Sequence, residues 1–111
     1  KVENTNNKFS SGYKDKIIIK LPIAHNEGNY FASEEILKKL EEEKLIVFKY
    51  CDKKGIIDEQ SNPNGSSKNI AGIINVKKNI LGMMPHPERL IDNILSGEDG
   101  SIMFKSLFKW K

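Results

Sequence analysis

The apolar residues of this chain come in short runs, which restricts it to small elements gathered round one core. Ile17–Ile19 and Leu45–Phe48 are strand-sized, whereas a bilayer-spanning helix needs about 20 consecutive apolar residues. The polar opening Lys1–Asn7 is not a signal peptide. With 111 residues the chain has the length for one domain with a modest core. Lys16–Ala24, a β-branched run ending at a proline turn, reads as a buried strand. Residues 1–15 hold at most one short strand, with Val2, Phe9 and Tyr13 to bury. Ser33 is placed to cap a helix with Glu34 and Glu35 in its first turn. Ile36, Leu37 and Leu40 supply its apolar stripe and Lys44 closes it. Leu45–Tyr50 is the next strand. A long polar loop, Asp58–Lys68, turns at Asn62–Pro63–Asn64–Gly65. Asn69–Val76 and Asn79–Met84 form a hairpin across Lys77–Lys78. Asp99–Gly100–Ser101 starts a last helix, Ser101–Trp110, with Ile102, Met103, Phe104, Leu107 and Phe108 at helical spacing. The sum is an α/β fold with four or five strands, two helices and some antiparallel pairing.

The charge pattern narrows the partners. Charged residues make up 30% of the chain and the net charge is +3. The cations are lysines, with Arg89 the only arginine, and they are interleaved with acids as in Glu34–Lys44. This is a solvated surface and not a phosphate-binding stripe, so no nucleic-acid partner is expected. No membrane partner is expected either. The single cysteine, Cys51, excludes an internal disulfide and a cysteine-based zinc site and fits a reducing, cytoplasmic compartment. The chain does not begin with methionine, which fits processing or a piece cut from something longer.

The most informative stretch is Met83–Met84–Pro85–His86–Pro87–Glu88–Arg89. Met84 and His86 both precede proline, which biases them towards extended backbone. Side chains two apart in an extended segment share a face, so Glu88 can approach one imidazole nitrogen of His86 and fix its tautomer. The other nitrogen is then free to take a proton from a nucleophile. Polyproline II geometry would rotate the two side chains apart. The competing reading is a hydrogen-bonded histidine in a proline-rich turn, with Glu88 solvated or paired with Arg89. A buried strand leading into a His/Glu pair is where α/β folds place working residues.

The string Gly82–Met83–Met84–Pro85–His86–Pro87–Glu88–Arg89 resembles the catalytic signature of the glutaminase subunit of phosphoribosylformylglycinamidine synthase. Leu21–Pro22–Ile23–Ala24–His25 with Glu27–Gly28, and Asn62–Pro63–Asn64–Gly65–Ser66 with Ile70–Ala71–Gly72–Ile73, resemble further segments of that family in the same order. Val2–Glu3–Asn4 and Asp99–Gly100 through Phe104 fit as well. The resemblance runs over essentially all of residues 1–111. It implies the C-terminal part of a class I glutamine amidotransferase domain, a partial flavodoxin-like α/β fold with a mixed sheet. The implied reaction is glutamine hydrolysis to glutamate and ammonia through a cysteinyl thioester, with a Cys–His–Glu triad. In that triad His86 is the general base and acid and Glu88 its orienting carboxylate. The implied partners are a large synthetase subunit, which uses ATP and magnesium, and a small bridging subunit. No cofactor is expected on this chain. The alternatives are a glutaminase feeding another synthetase, or a non-catalytic interaction domain docking on one.

In the family the nucleophilic cysteine sits upstream on a strand-to-helix elbow, and nothing in this sequence matches that elbow. Cys51 lacks the Gly-x-Cys-x-Gly surroundings of a nucleophile and reads as a structural cysteine. The chain alone is therefore expected to be inactive. His25, closing a strand and opening a Gly-containing loop, is either a pocket residue or a backbone-bonded loop histidine. Its neighbour Asn26 departs from the family's glycine. The Asn62–Ser66 loop reads first as a turn, and otherwise as a pocket edge or partner contact. Phe104, Phe108 and Trp110 read as core and terminal packing.

Overall fold

The structure is a computed structural model that describes residues 1–14, 16–21, 30–63, 65–86 and 99–109, with 108 and 109 described by backbone only. These residues form helix α1 (Glu34–Glu42), strands β1 (Ile46–Lys49), β2 (Ile70–Ile74) and β3 (Leu81–Met83), and helix α2 (Ser101–Lys109). Short 3-10 turns lie at Ser11–Tyr13, Glu59–Ser61 and Ser67–Asn69. The strands make one antiparallel sheet in the order β1-β2-β3. The fold is thus α/β, as expected, and no parallel pair occurs among the described strands.

Leu45, Ile46, Val47 and Phe48 are all buried, so β1 has no solvent face. Burying side chains of this size contributes roughly 2 kcal/mol each. On one side β1 pairs with β2, Phe48 opposite Gly72. A Cβ at Gly72 would lie 2.8 Å from Phe48 Cδ2 and 3.2 Å from Met83 Cβ, so only glycine lets β1 and β3 close over β2. On its other side β1 receives the start of the chain: Val2 bridges to Phe48, the Glu3 N–H donates to the Val47 carbonyl, and the Lys49 N–H donates to the Lys1 carbonyl.

The expected strand over Lys16–Ala24 is corrected in its described part. Residues 16–21 form no strand. Their backbone groups go to single partners: the Ile17 carbonyl accepts from Val2 and the Lys20 N–H donates to the Asp99 carboxylate. Ile17 and Ile18 are exposed. Pro22, Ile23 and Ala24 lie outside the described residues.

Helix α1 begins as expected, with Ser33 Oγ accepting from the Ile36 N–H. Leu37 and Leu40 are buried, but Ile36 is 50% exposed, so the stripe is narrower than the sequence suggests. One residue turns the helix by about 100°, and Ile36 falls beyond the edge of the face that Leu37 and Leu40 share. The helix ends in a Schellman motif. The Leu45 N–H donates to the Leu40 carbonyl and the Lys44 N–H to that of Glu41, and Lys44 itself sits at φ 56°. The β2–β3 hairpin also forms as expected. Its turn is closed by Asn75 Oδ1, which accepts from the Asn79 and Ile80 N–H groups.

Helix α2 is fastened to the N-terminal segment. The Gly12 N–H donates to Ser106 Oγ, whose hydroxyl donates to the Ile102 carbonyl. A Cβ at Gly12 would lie 2.4 Å from that oxygen. Tyr13, fully buried, stacks edge-on to Phe48 at 6.2 Å and donates its hydroxyl to the Asp99 carbonyl. The Asp99 carboxylate accepts from Lys16 Nζ and the Lys20 N–H. Met103 and Ser106 are buried, whereas Phe104 is 38% exposed. Phe104 is therefore not core. The Phe108 side chain and Trp110 lie outside the described residues.

The left-handed helix end makes Lys44→Gly a stabilising change, by about 0.5–1 kcal/mol, because glycine occupies that region without the Cβ penalty. A melting midpoint unchanged or lowered would contradict this account of the helix end. Burial pushes the Tyr13 hydroxyl up to about 12, with a backbone hydrogen bond at Met103 acting downwards and the Asp99 charge upwards. The folded value exceeds the unfolded one, so the stabilisation is complete below pH about 10 and is lost as pH rises to about 12, on the order of 2–3 kcal/mol in all. Denaturant melts between pH 9 and 12 should show this loss, and Tyr13→Phe should remove it.

Candidate functional site

The His86 segment is positioned by the sheet. β3 pairs with β2 through Met83, opposite Gly72, and the Met84 N–H donates to the Ala71 carbonyl at 3.0 Å. His86 therefore stands two residues beyond a backbone hydrogen bond that fixes the end of the strand. It is half-buried in a cleft of about 290 Å³ lined by Phe9, Leu81, Met83, Pro85, Met103, Phe104 and Leu107. Glu88, its expected partner, lies outside the described residues, as do Arg89 and His25.

Met83 and Pro85 line a second cleft as well, of about 330 Å³. Phe48, Tyr50 and Ala71 are the buried part of its lining, and the more exposed Lys20, Lys49, Gln60 and Ser61 make its rim. Cys51 lies here, half-buried. Cys51 lines this cleft and His86 the first, and the two clefts meet at Met83 and Pro85.

The rim is set by the loop around Asn62. Its Oδ1 accepts from the Gly65 and Ser66 N–H groups, and its Nδ2 donates to the Ser66 carbonyl and to Asn69 Oδ1. This is a side chain standing in for backbone in a turn. Asn62–Ser66 is accordingly a turn in its described residues, and Pro63 within it borders the second cleft. Asn69, expected to open a strand, is instead a buried residue at φ 59° whose Nδ2 donates to the Tyr50 and Asp58 carbonyls. Asparagine tolerates this region better than most residues, and that is the signal the sequence offers. Lys68, beside it at φ 49°, pairs with Glu41 on α1. Ser66 and Ser67 hold Tyr30 and Ala32, which lead into α1: the Tyr30 N–H donates to Ser66 Oγ, the Ser67 N–H to the Tyr30 carbonyl, and the Ala32 N–H to Ser67 Oγ.

Sequence reasoning misses the apolar wall about His86. Phe9, Phe104 and Leu107 come from the two ends of the chain, and no local pattern links them to the histidine. Among the described residues no group of three or more His, Cys, Asp or Glu side chains could hold a metal ion. No helix among them is long and apolar enough to cross a membrane.

The chain is similar to known proteins over nearly all of its length. The profile of the CobB/CobQ-like glutamine amidotransferase domain matches residues 1–110. The chain is 57% identical over 104 residues to the phosphoribosylformylglycinamidine synthase subunit PurQ of Pelagibacter ubique, covering 92% of this chain and 46% of that protein. It is 48% identical over 106 residues to the subunit of the same name from Chlorobium luteolum, covering 96% and 46%. Among solved structures it is similar to a chain of PurLQS from Thermotoga maritima, with TM-score 0.73 and 31% identity over 96% of this chain and 42% of that one. The chain thus spans a little under half the length of the curated relatives it matches. It belongs to the CobB/CobQ-like glutamine amidotransferase domain family.

Proposed function

We propose that this chain contributes the histidine–glutamate half of a glutaminase site that supplies ammonia to phosphoribosylformylglycinamidine synthase in purine biosynthesis. The observation that carries the reading is the placement of His86, held beyond the fixed end of β3 and facing a cleft, in a chain whose close relatives bear the synthase subunit's name.

In this reading a cysteine from the rest of the domain attacks the glutamine amide carbon. His86 takes the thiol proton and delivers it to the departing ammonia, and then activates the water that hydrolyses the thioester. Glu88 orients the imidazole and stabilises its cationic form. The ammonia passes to a large synthetase subunit, with a small bridging subunit completing the assembly. Likeness to a chain of the PurLQS structure from Thermotoga maritima supports such partners. ATP and magnesium act on the synthetase, this chain needs no cofactor of its own, and the assembly works in the cytoplasm.

The 111 residues by themselves are proposed to be inactive, because nothing in them matches the family's nucleophile elbow and Cys51 lacks its Gly-x-Cys-x-Gly surroundings. Losing the nucleophile from a triad costs on the order of 10⁶ in turnover. Purified chain should therefore release no ammonia from glutamine. Release that Cys51→Ser abolishes would overturn this assignment of Cys51.

In the intact protein, His86→Ala should lower glutamine hydrolysis by up to about 10⁶-fold and Glu88→Ala by less, up to about 10⁴-fold. Synthesis driven by added ammonia should survive both changes. Glutamine turnover unaffected by His86→Ala would rule the assignment out.

A further inference from the structure

We propose that Phe9 and Phe104 are positioning residues for His86, holding its imidazole by apolar packing from the two ends of the chain. Their role presupposes the catalytic reading of His86. Among the described residues lining the cleft, His86 alone carries a titratable side chain; the others are Phe9, Leu81, Met83, Pro85, Met103, Phe104 and Leu107. An imidazole that shuttles a proton must keep one orientation in both charge states. Apolar walls restrict it without competing for its nitrogens.

Each wall has its own buried polar anchor. Phe9 is fixed by Asn7, which is 1% exposed. Asn7 Oδ1 accepts from the Phe9 and Ser10 N–H groups, and its Nδ2 donates to Ser10 Oγ. The Ser10 hydroxyl in turn donates to the Asn4 carbonyl. Phe104 is fixed through α2, which is held by Gly12 on Ser106 and by Tyr13, Lys16 and Lys20 on Asp99. The helix turns Met103 and Ser106 inward and leaves Phe104 and Leu107 partly exposed beside His86. A ring on a helix anchored this firmly, lining the histidine's cleft, fits a role at the site.

The test uses the intact protein. Phe104→Ala and Phe9→Ala should lower kcat for glutamine hydrolysis by about 10–100-fold, the scale of a misplaced catalytic group. KM should stay within about threefold, because binding shared by ground and transition states is untouched. Phe104→Leu should restore most of the rate, and ammonia-driven synthesis should be unchanged. The His86 imidazole resonances, assigned by their loss in His86→Gln, should shift in Phe104→Ala. Unchanged kcat and unchanged resonances in Phe104→Ala would overturn the inference. So would a loss of rate that follows loss of cooperative melting and that Phe104→Leu does not restore. If His86→Ala is inactive while Phe104→Ala is normal, only this inference falls; if His86→Ala is fully active, the catalytic reading falls with it.

Discussion

Phe48 is the residue against which the rest of the fold is registered. Its ring crosses Gly72 on β2, where a single methyl group would collide with it. Its backbone bridges to Val2 on the opposite side, and its ring meets Tyr13 edge-on. Through Gly72 it sets how closely β3 approaches, and so where the His86 segment leaves the sheet. Through Tyr13 it sets the height of Asp99, and so where α2 lies. A dense interior transmits such constraints because it has little free volume in which to relax.

The cleft around His86 is built from segments far apart in sequence. β3 delivers the histidine, the first turn of the chain delivers Phe9, and α2 delivers Phe104 and Leu107. Buried polar groups bring these together: Asn7 and Ser10 on one side, Ser106 on the other, with the Asp99 carboxylate alongside. Burial without a partner costs such groups about 1–3 kcal/mol each, so each is placed in one arrangement. Desolvation pushes the Asp99 carboxyl up, but hydrogen bonds from Lys16 and the Lys20 backbone, with the Lys16 charge, outweigh it and hold the group below its ordinary value.

What is legible in the sequence is local. Ser33 and the two glutamates mark the start of α1, short apolar runs mark β1 and the β2–β3 hairpin, and the proline-flanked His86 marks the site. Where local pattern misleads, neighbours decide. Ile17 and Ile18 have the composition of a buried strand, yet backbone partners at Val2 and Asp99 hold that segment outside any ladder. Ile36 belongs to the apolar pattern of α1 and still faces out. Phe104 has the spacing of a core residue and lies at the edge of a cleft.

The sequence by itself determined the two helices, strand β1, the β2–β3 hairpin and the proline-flanked setting of His86, because caps, prolines, asparagine turns and side-chain period act over a few residues. Only the tertiary structure decided what surrounds the histidine and what lines the cleft that holds Cys51. Those relations depend on contacts across the sheet and between the chain's two ends, such as Gly12 with Ser106 and Phe48 with Gly72. No local pattern encodes which distant surfaces meet, since that is fixed by packing the whole core at once.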